Sequence, residues 1–239
     1  MGIPIVVDVR DEDVDAAALE RMFAWLRWVD ATFSTYKDDS EISRLNRGEL
    51  ALEDSASVVR WVLERCEELR GETRGYFDVR AGSPLTIDPS GFVKGWSLDR
   101  ATDILQEAGL RNFAVNAGGD MRLSGRAVPE TCWRVGIQHP LQRDKIAAVV
   151  EGNDLAVATS GAYERGEHVL DPHTGRAPRG ILSVTVVGPE LGTADAYPTA
   201  AFAMGGEAAA HWMARLHGYD AMTILADETV LTTAGFPAA

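Results

Sequence analysis

Residues 145–159, KIAAVVEGNDLAVAT, read as two short apolar runs, 145–151 and 155–159, set around Gly152-Asn153-Asp154. Small and β-branched residues on either side of a Gly/Asn/Asp turn are a hairpin signal. Ala221–Ala226 and Thr229–Thr233 predict a second hairpin near the end of the chain. Further strands are predicted over Ile3–Val9, Phe113–Asn116 and Ile181–Val187. Between them lie helical stretches. Leu19, Met22, Phe23, Leu26 and Val29 follow an i, i+3, i+4, i+7 spacing, which predicts a helix over 14–29. A second is expected over 58–69, capped by Ser55 or Ser57 and ended by Gly71. A third is expected over 98–107, after Lys-Gly-Trp-Ser, and a fourth over 199–217, before Gly218. Helices mixed with antiparallel hairpins, rather than strictly alternating with strands, predict an α+β fold. With 239 residues and no repeat or linker-like tract, one domain over 1–239 is expected, with antiparallel strands and packed helices.

Bulk composition excludes some functions. The net charge of −13 argues against a nucleic-acid partner, because a phosphate backbone wants a basic footprint. It also means that an anionic ligand needs local help from a cation, a lysine or backbone N–H groups. The two cysteines, Cys66 and Cys132, form no CxxC, and Cys66 falls on the apolar stripe of a predicted helix, as a buried thiol would. The opening residues MGIPIVVDVRDEDVD carry no basic segment followed by an apolar one, and Val6 breaks a myristoylation pattern. No apolar stretch approaches the roughly 18–20 residues of a membrane span. No membrane anchor and a cytoplasmic location are therefore expected.

Five stretches carry chemistry. GTADAYPTA, residues 192–200, places Asp195 and Thr199 four apart, so one turn of helix would bring two hard oxygens to one face. The same residues also suit a helix start, and Pro198 predicts that the helix proper begins near Tyr197, with Asp195 at its cap. FSTYKDDSEISRLN, 33–46, reads as a helix exit and a turn capped by Asp39 or Ser40, or as an aromatic wall offered by Tyr36 to a flat ligand. In DPSGFVKGWSLDRA, 88–101, a glycine-framed Lys94 leads into a helix whose start would suit a phosphate, or forms a surface turn. FAVNAGGDMRLSG, 113–125, runs a strand into Gly118-Gly119, which makes a hairpin turn or lets a backbone approach a ligand. TSGAYERGEHVLDPHTG, 159–175, holds a turn at Asp171–Gly175. Just before it comes His168, either a general base or a hydrogen-bonded structural histidine.

Taken together and in this order, FSTYKDDSEISRLN, GYFDV, KGWSLDRA, VNAGGD, TSGAYERGEHVLDPHTG and TADAYPTA resemble the ApbE-type FAD:protein FMN transferases, from about Gly2 to Phe236. The resemblance implies a T-fold-like α+β architecture. It implies Mg²⁺-dependent transfer of the FMN half of FAD to a Ser or Thr hydroxyl of an acceptor protein, with release of AMP. On this likeness Asp195 and Thr199 are metal ligands, with the Val93 carbonyl as a third, and His168 is the base. Tyr36 lies against the isoalloxazine ring. Lys94, Asn116, Gly118, Gly119, Asp120, Thr159, Ser160 and Gly161 border FAD.

Two features depart from the pattern. Many relatives carry an export leader and lipobox, which this sequence does not show, and the stretch from Phe77 to Lys94 is compact. Two other outcomes remain open at this stage: the same site used as an Mg²⁺-dependent FAD pyrophosphatase giving FMN and AMP, or a non-catalytic FAD-binding protein.

Overall fold

A computed structural model of the chain describes residues 2–81, 85–161 and 169–239. Among these residues nine strands and six α-helices follow one another in the order β1 (Ile5–Val9), α1 (Ala16–Phe33), α2 (Glu41–Asn46), α3 (Ser57–Glu72), α4 (Ser90–Glu107), β2 (Phe113–Ala117), β3 (Asp120–Ser124), β4 (Trp133–Gln138), β5 (Ile146–Gly152), β6 (Ala156–Gly161), β7 (Ile181–Gly188), α5 (Leu191–Met204), α6 (Gly206–Met213), β8 (Asp220–Leu225) and β9 (Val230–Thr232). Seven strands form one sheet in the order β1-β2-β3-β6-β7-β8-β9, every neighbouring pair antiparallel. The mixed helix-and-antiparallel-sheet fold expected from the sequence is the one found.

The predicted hairpin over 145–159 is not formed. Both runs are strands, but β5 pairs with β4 in a separate two-stranded sheet, while β6 joins β3 and β7. Gly152-Asn153-Asp154 therefore carries the chain between two layers. The second predicted hairpin does form, as β8 and β9.

The sheet's period-2 alternation sorts side chains between two cores. Phe113, Val115, Ala117, Ala156, Ala158, Val184 and Val186 face the helices. Ala114, Val157, Val187, Met222 and Ile224 face the other way, and Trp133, Val135, Ile137 and Val150 of β4–β5 close over them. The molecule is thus built in three layers: helices, seven-stranded sheet, two-stranded sheet.

Helix α1 starts at Asp15, whose carboxylate accepts from the Ala17 N–H at 2.8 Å. It continues past the predicted end to Phe33, burying Met22, Leu26, Val29 and Phe33 on one stripe. Helix α3 begins at Ser57 without a serine cap: the Glu41 carboxylate accepts from the Ala56 N–H at 2.8 Å instead. Ser40 caps α2, with its hydroxyl oxygen accepting from the Ser43 N–H at 3.0 Å. Cys66 is buried on α3, and that burial pushes its thiol up to about 12. No described helix is long and apolar enough to cross a membrane.

The largest departures concern α4 and α5. Helix α4 starts at Ser90, so Lys94, Gly95, Trp96 and Ser97 lie inside it rather than ahead of it. Helix α5 starts at Leu191, not near Tyr197, and carries Pro198 in its interior; the single helix expected over 199–217 is two, parted at Gly205 with φ +77. All of α5 except Thr199 and Met204 is buried. A helix with apolar residues all round is buried on all sides, and its alanines are small because α4 and the sheet press on it from both sides. The two helices meet backbone to backbone: a Cβ at Gly95 would lie 2.2 Å from the Leu191 carbonyl oxygen. Glycine inside a helix costs about 1 kcal/mol relative to alanine, and here it permits that crossing.

Candidate active site

Helices α4 and α5, the β2–β3 turn and the loop after α1 border a cavity of about 910 Å³. That volume is at the upper end of the range for ligand pockets. The α4–α5 wall holds the charge. Asp195 lies in the second turn of α5, and its Oδ2 accepts from the Gly95 N–H at 3.2 Å. Its Oδ1 lies 3.3 Å from Lys94 Nζ. The same ammonium contacts Asp120 Oδ2 at the start of β3. Asp120 Oδ1 in turn accepts from the Thr159 N–H at 3.0 Å, which ties β3 to β6 at the cavity edge. Burial pushes the Asp195 carboxyl up to about 7; the Lys94 ammonium pulls the other way, and the Asp120 charge adds to the rise.

One turn further along α5, the Thr199 hydroxyl donates to the Asp195 carbonyl oxygen at 3.1 Å and lies 3.2 Å from Ser160 Oγ. A Cβ on Gly91 would come within 4.0 Å of Thr199 Oγ1, so the first turn of α4 leaves space in front of the hydroxyl. The i, i+4 geometry predicted for Asp195 and Thr199 therefore holds, and it holds within a helix rather than at its cap.

Tyr36, Val93, Lys94, Gly118, Thr159, Ser160, Asp195 and Thr199 all line the cavity. Tyr36 stands at the rim, 92% exposed, in the loop between α1 and α2. Gly118 and Gly119 form the two-residue turn between β2 and β3, with φ +64 and +105, values that favour glycine. Gly118 borders the cavity, whereas Gly119 is exposed and faces open space. Asn116 secures the turn, its Oδ1 accepting from the Gly119 N–H at 3.0 Å. Gly161 is buried in β6, opposite Ser183. Asn116, Gly119, Asp120 and Gly161 therefore shape the surroundings rather than the lining. Val93 is buried in α4 and lines the cavity. His168 lies outside the described residues. His173, in the turn after it, packs its ring against Tyr76 with centroids 4.6 Å apart.

The first turn of α4 lines the cavity through Ser90 and Gly91, so the helix start that suits a phosphate is eight residues earlier than the sequence suggests. Sequence reasoning also missed Arg143, which reaches the lining from the β4–β5 loop, and Tyr76 and Phe77, which follow α3. Nothing in the local sequence around Arg143 marks it. The cationic residue only gains meaning once the loop between β4 and β5 reaches the cavity.

Hard oxygens dominate the α5 wall: the Asp195 carboxylate, the Thr199 hydroxyl and the Ser160 hydroxyl. This donor set suits Mg²⁺, which binds through one or two carboxylates and completes its shell with water and ligand phosphates. Among the described residues no three His, Cys, Asp or Glu side chains converge as a self-sufficient metal cage.

The model of the family described as the ApbE family matches residues 1–85 and 80–223. An FAD:protein FMN transferase of Vibrio cholerae is 28% identical over 76% of this chain and 72% of its own length. One of Haemophilus influenzae is 26% identical over 78% of this chain and 72% of its own length. Among solved structures, the flavin transferase ApbE from Vibrio cholerae superposes with a TM-score of 0.87 at 25% identity, covering 99% of this chain and 95% of that one. The ApbE protein of Thermotoga maritima gives 0.85 at 22%, covering 97% and 93%.

Proposed function

The chain belongs to the ApbE family, and on that premise we propose that it is an Mg²⁺-dependent FAD:protein FMN transferase acting on a Ser or Thr hydroxyl of an acceptor protein. The observation that carries this reading is the convergence of Asp195, Thr199, Ser160 and Lys94 on one wall of a single cavity. In the reaction the acceptor oxygen bonds to the phosphorus of the FMN half, the pyrophosphate P–O bond breaks, and AMP leaves with the bridging oxygen. Negative charge grows on the phosphate oxygens and must be neutralised. The cation, when bound, neutralises charge on those oxygens.

The protein's own groups do the rest. Asp195 and Thr199 hold the cation side, with Val93 supplying a backbone carbonyl in the same reading. Lys94, kept in place by Asp120 and Asp195, adds positive charge toward the phosphates. Arg143 meets the ligand from the opposite layer. His168 takes the proton of the acceptor hydroxyl. Tyr36 offers its ring to the isoalloxazine, while Gly118 and the Thr159–Ser160 edge of β6 allow close approach of the nucleotide.

The test is mass spectrometry of Ser- and Thr-containing acceptor peptides after incubation with the protein, FAD and Mg²⁺, with AMP quantified alongside. The expected result is one FMN phosphoester per modified peptide, matched by one AMP and lost on chelation. FMN and AMP without an adduct on any peptide would replace the transferase with a pyrophosphatase, and intact bound FAD would replace both with a binding protein. A separate binding measurement checks Tyr36. Aromatic stacking contributes about 0.5–1.5 kcal/mol beyond burial. Tyr36→Ala is therefore expected to weaken FAD binding about 2–12-fold in a fluorescence titration, with Tyr36→Phe close to wild type.

A further inference from the structure

Helix α5 has no cap of its own. Its N-cap residue, Glu190, makes no side-chain capping bond. The first N–H groups are satisfied from another helix: Asp99 of α4 accepts from the Leu191 N–H through Oδ1 at 2.9 Å and from the Gly192 N–H through Oδ2 at 2.8 Å. Arg122 of β3 braces the same carboxylate, with Nε 3.2 Å from Oδ1. One turn before Asp99 on α4 is Gly95, whose N–H holds Asp195 Oδ2. One turn after Leu191 on α5 is Asp195, and one turn after that is Thr199. The α4–α5 joint is therefore pinned at two successive levels, Asp99 to Leu191 and Gly192, then Gly95 to Asp195. Between them the backbones touch, since a Cβ on Gly95 or on Gly192 would overlap the neighbouring helix.

We propose that Asp99 is a positioning residue for the cation site: by capping α5 from α4 it fixes the height and rotation at which Asp195 and Thr199 face Lys94. This rests on reading Asp195 and Thr199 as cation ligands. The carboxylate acts at a distance from the reacting atoms, through the helix it holds. A cap made within α5 would fix that helix's start but not its place against α4; a bidentate carboxylate on α4 does both. The anion also suits the positive end of the helix dipole.

The experiment measures Mn²⁺ binding, by the electron paramagnetic resonance of free Mn²⁺, to wild type, Asp99→Ala, Asp99→Asn and Asp195→Asn. Thermal unfolding is followed in parallel, and binding is measured where every variant is folded. Losing a partner that orients a ligand typically costs about 10–100-fold in metal affinity. Asp99→Ala is expected to raise the Mn²⁺ Kd by that factor. Asp99→Asn, which keeps one acceptor oxygen, should fall between Asp99→Ala and wild type, and it decides the matter if the alanine variant does not fold. Wild-type Mn²⁺ affinity in Asp99→Asn and in any folded Asp99→Ala, with only the melting temperature lowered, would overturn the proposal and leave Asp99 a structural cap. Mn²⁺ binding in wild type that is untouched by Asp195→Asn would instead overturn the reading of the cation site, and the proposal with it.

Discussion

Asp195→Asn is expected to lower Mg²⁺-dependent turnover of FAD by about 10²–10³-fold, the usual cost of losing one pre-aimed electrostatic contact in a water-excluded site. The substitution is nearly isosteric, so the cavity keeps its shape and only the charge is lost. Wild-type Asp195 is buried, with its charge offset mainly by Lys94. Replacing a desolvated charge with a neutral group of the same size is often neutral or stabilising, and Lys94 keeps Asp120 as a partner. The melting temperature should therefore stay level or rise while activity collapses, which separates a functional loss from misfolding.

The pH dependence has a definite sign. Burial pushes the metal-free Asp195 carboxyl up to about 7, and a cation needs the ionised form. Mg²⁺ affinity should thus fall as pH drops below about 7, toward tenfold per pH unit. Titration calorimetry in two buffers of different ionisation enthalpy would show proton release on binding in wild type and none in Asp195→Asn. Turnover of the variant within threefold of wild type would remove Asp195 from the cation site.

His168→Ala is expected to cost about 10²–10⁴-fold in transfer, the range for a positioned general base, with FAD affinity unchanged. Added imidazole should restore part of the rate. Full transfer by His168→Ala would assign the base elsewhere. Hydrolysis of FAD to FMN and AMP provides an internal comparison, because loss of transfer with hydrolysis retained would place His168 at the acceptor oxygen rather than at the pyrophosphate.

The sequence discloses elements more readily than their partners. Residues 145–151 and 155–159 are legible as strands because their composition is local information. Their separation into two sheets is not, because pairing is decided by Trp133, Val135 and Ile137 closing over the far face of the large sheet. Glycine misled twice. Gly91 and Gly95 resemble a loop around Lys94, yet they lie inside α4, where one leaves space before Thr199 and the other admits a neighbouring backbone. Pro198 resembles a helix start and sits within α5. In the candidate site, Asp195 and Thr199 are legible together because helical spacing alone joins them. The contacts of Lys94 with Asp120 and Asp195 are not, since three distant segments meet there, and Arg143 arrives from a different layer altogether.

The two sides of the cavity differ in how much change they can absorb. On α5 and the facing turns of α4, neighbours touch at backbone distance, and a single added methyl at Gly95 or Gly192 collides with the opposite helix. Around Tyr36 the chain stands in solvent. Randomised variants of this protein should therefore recover diversity at the loop and almost none along the helix crossing.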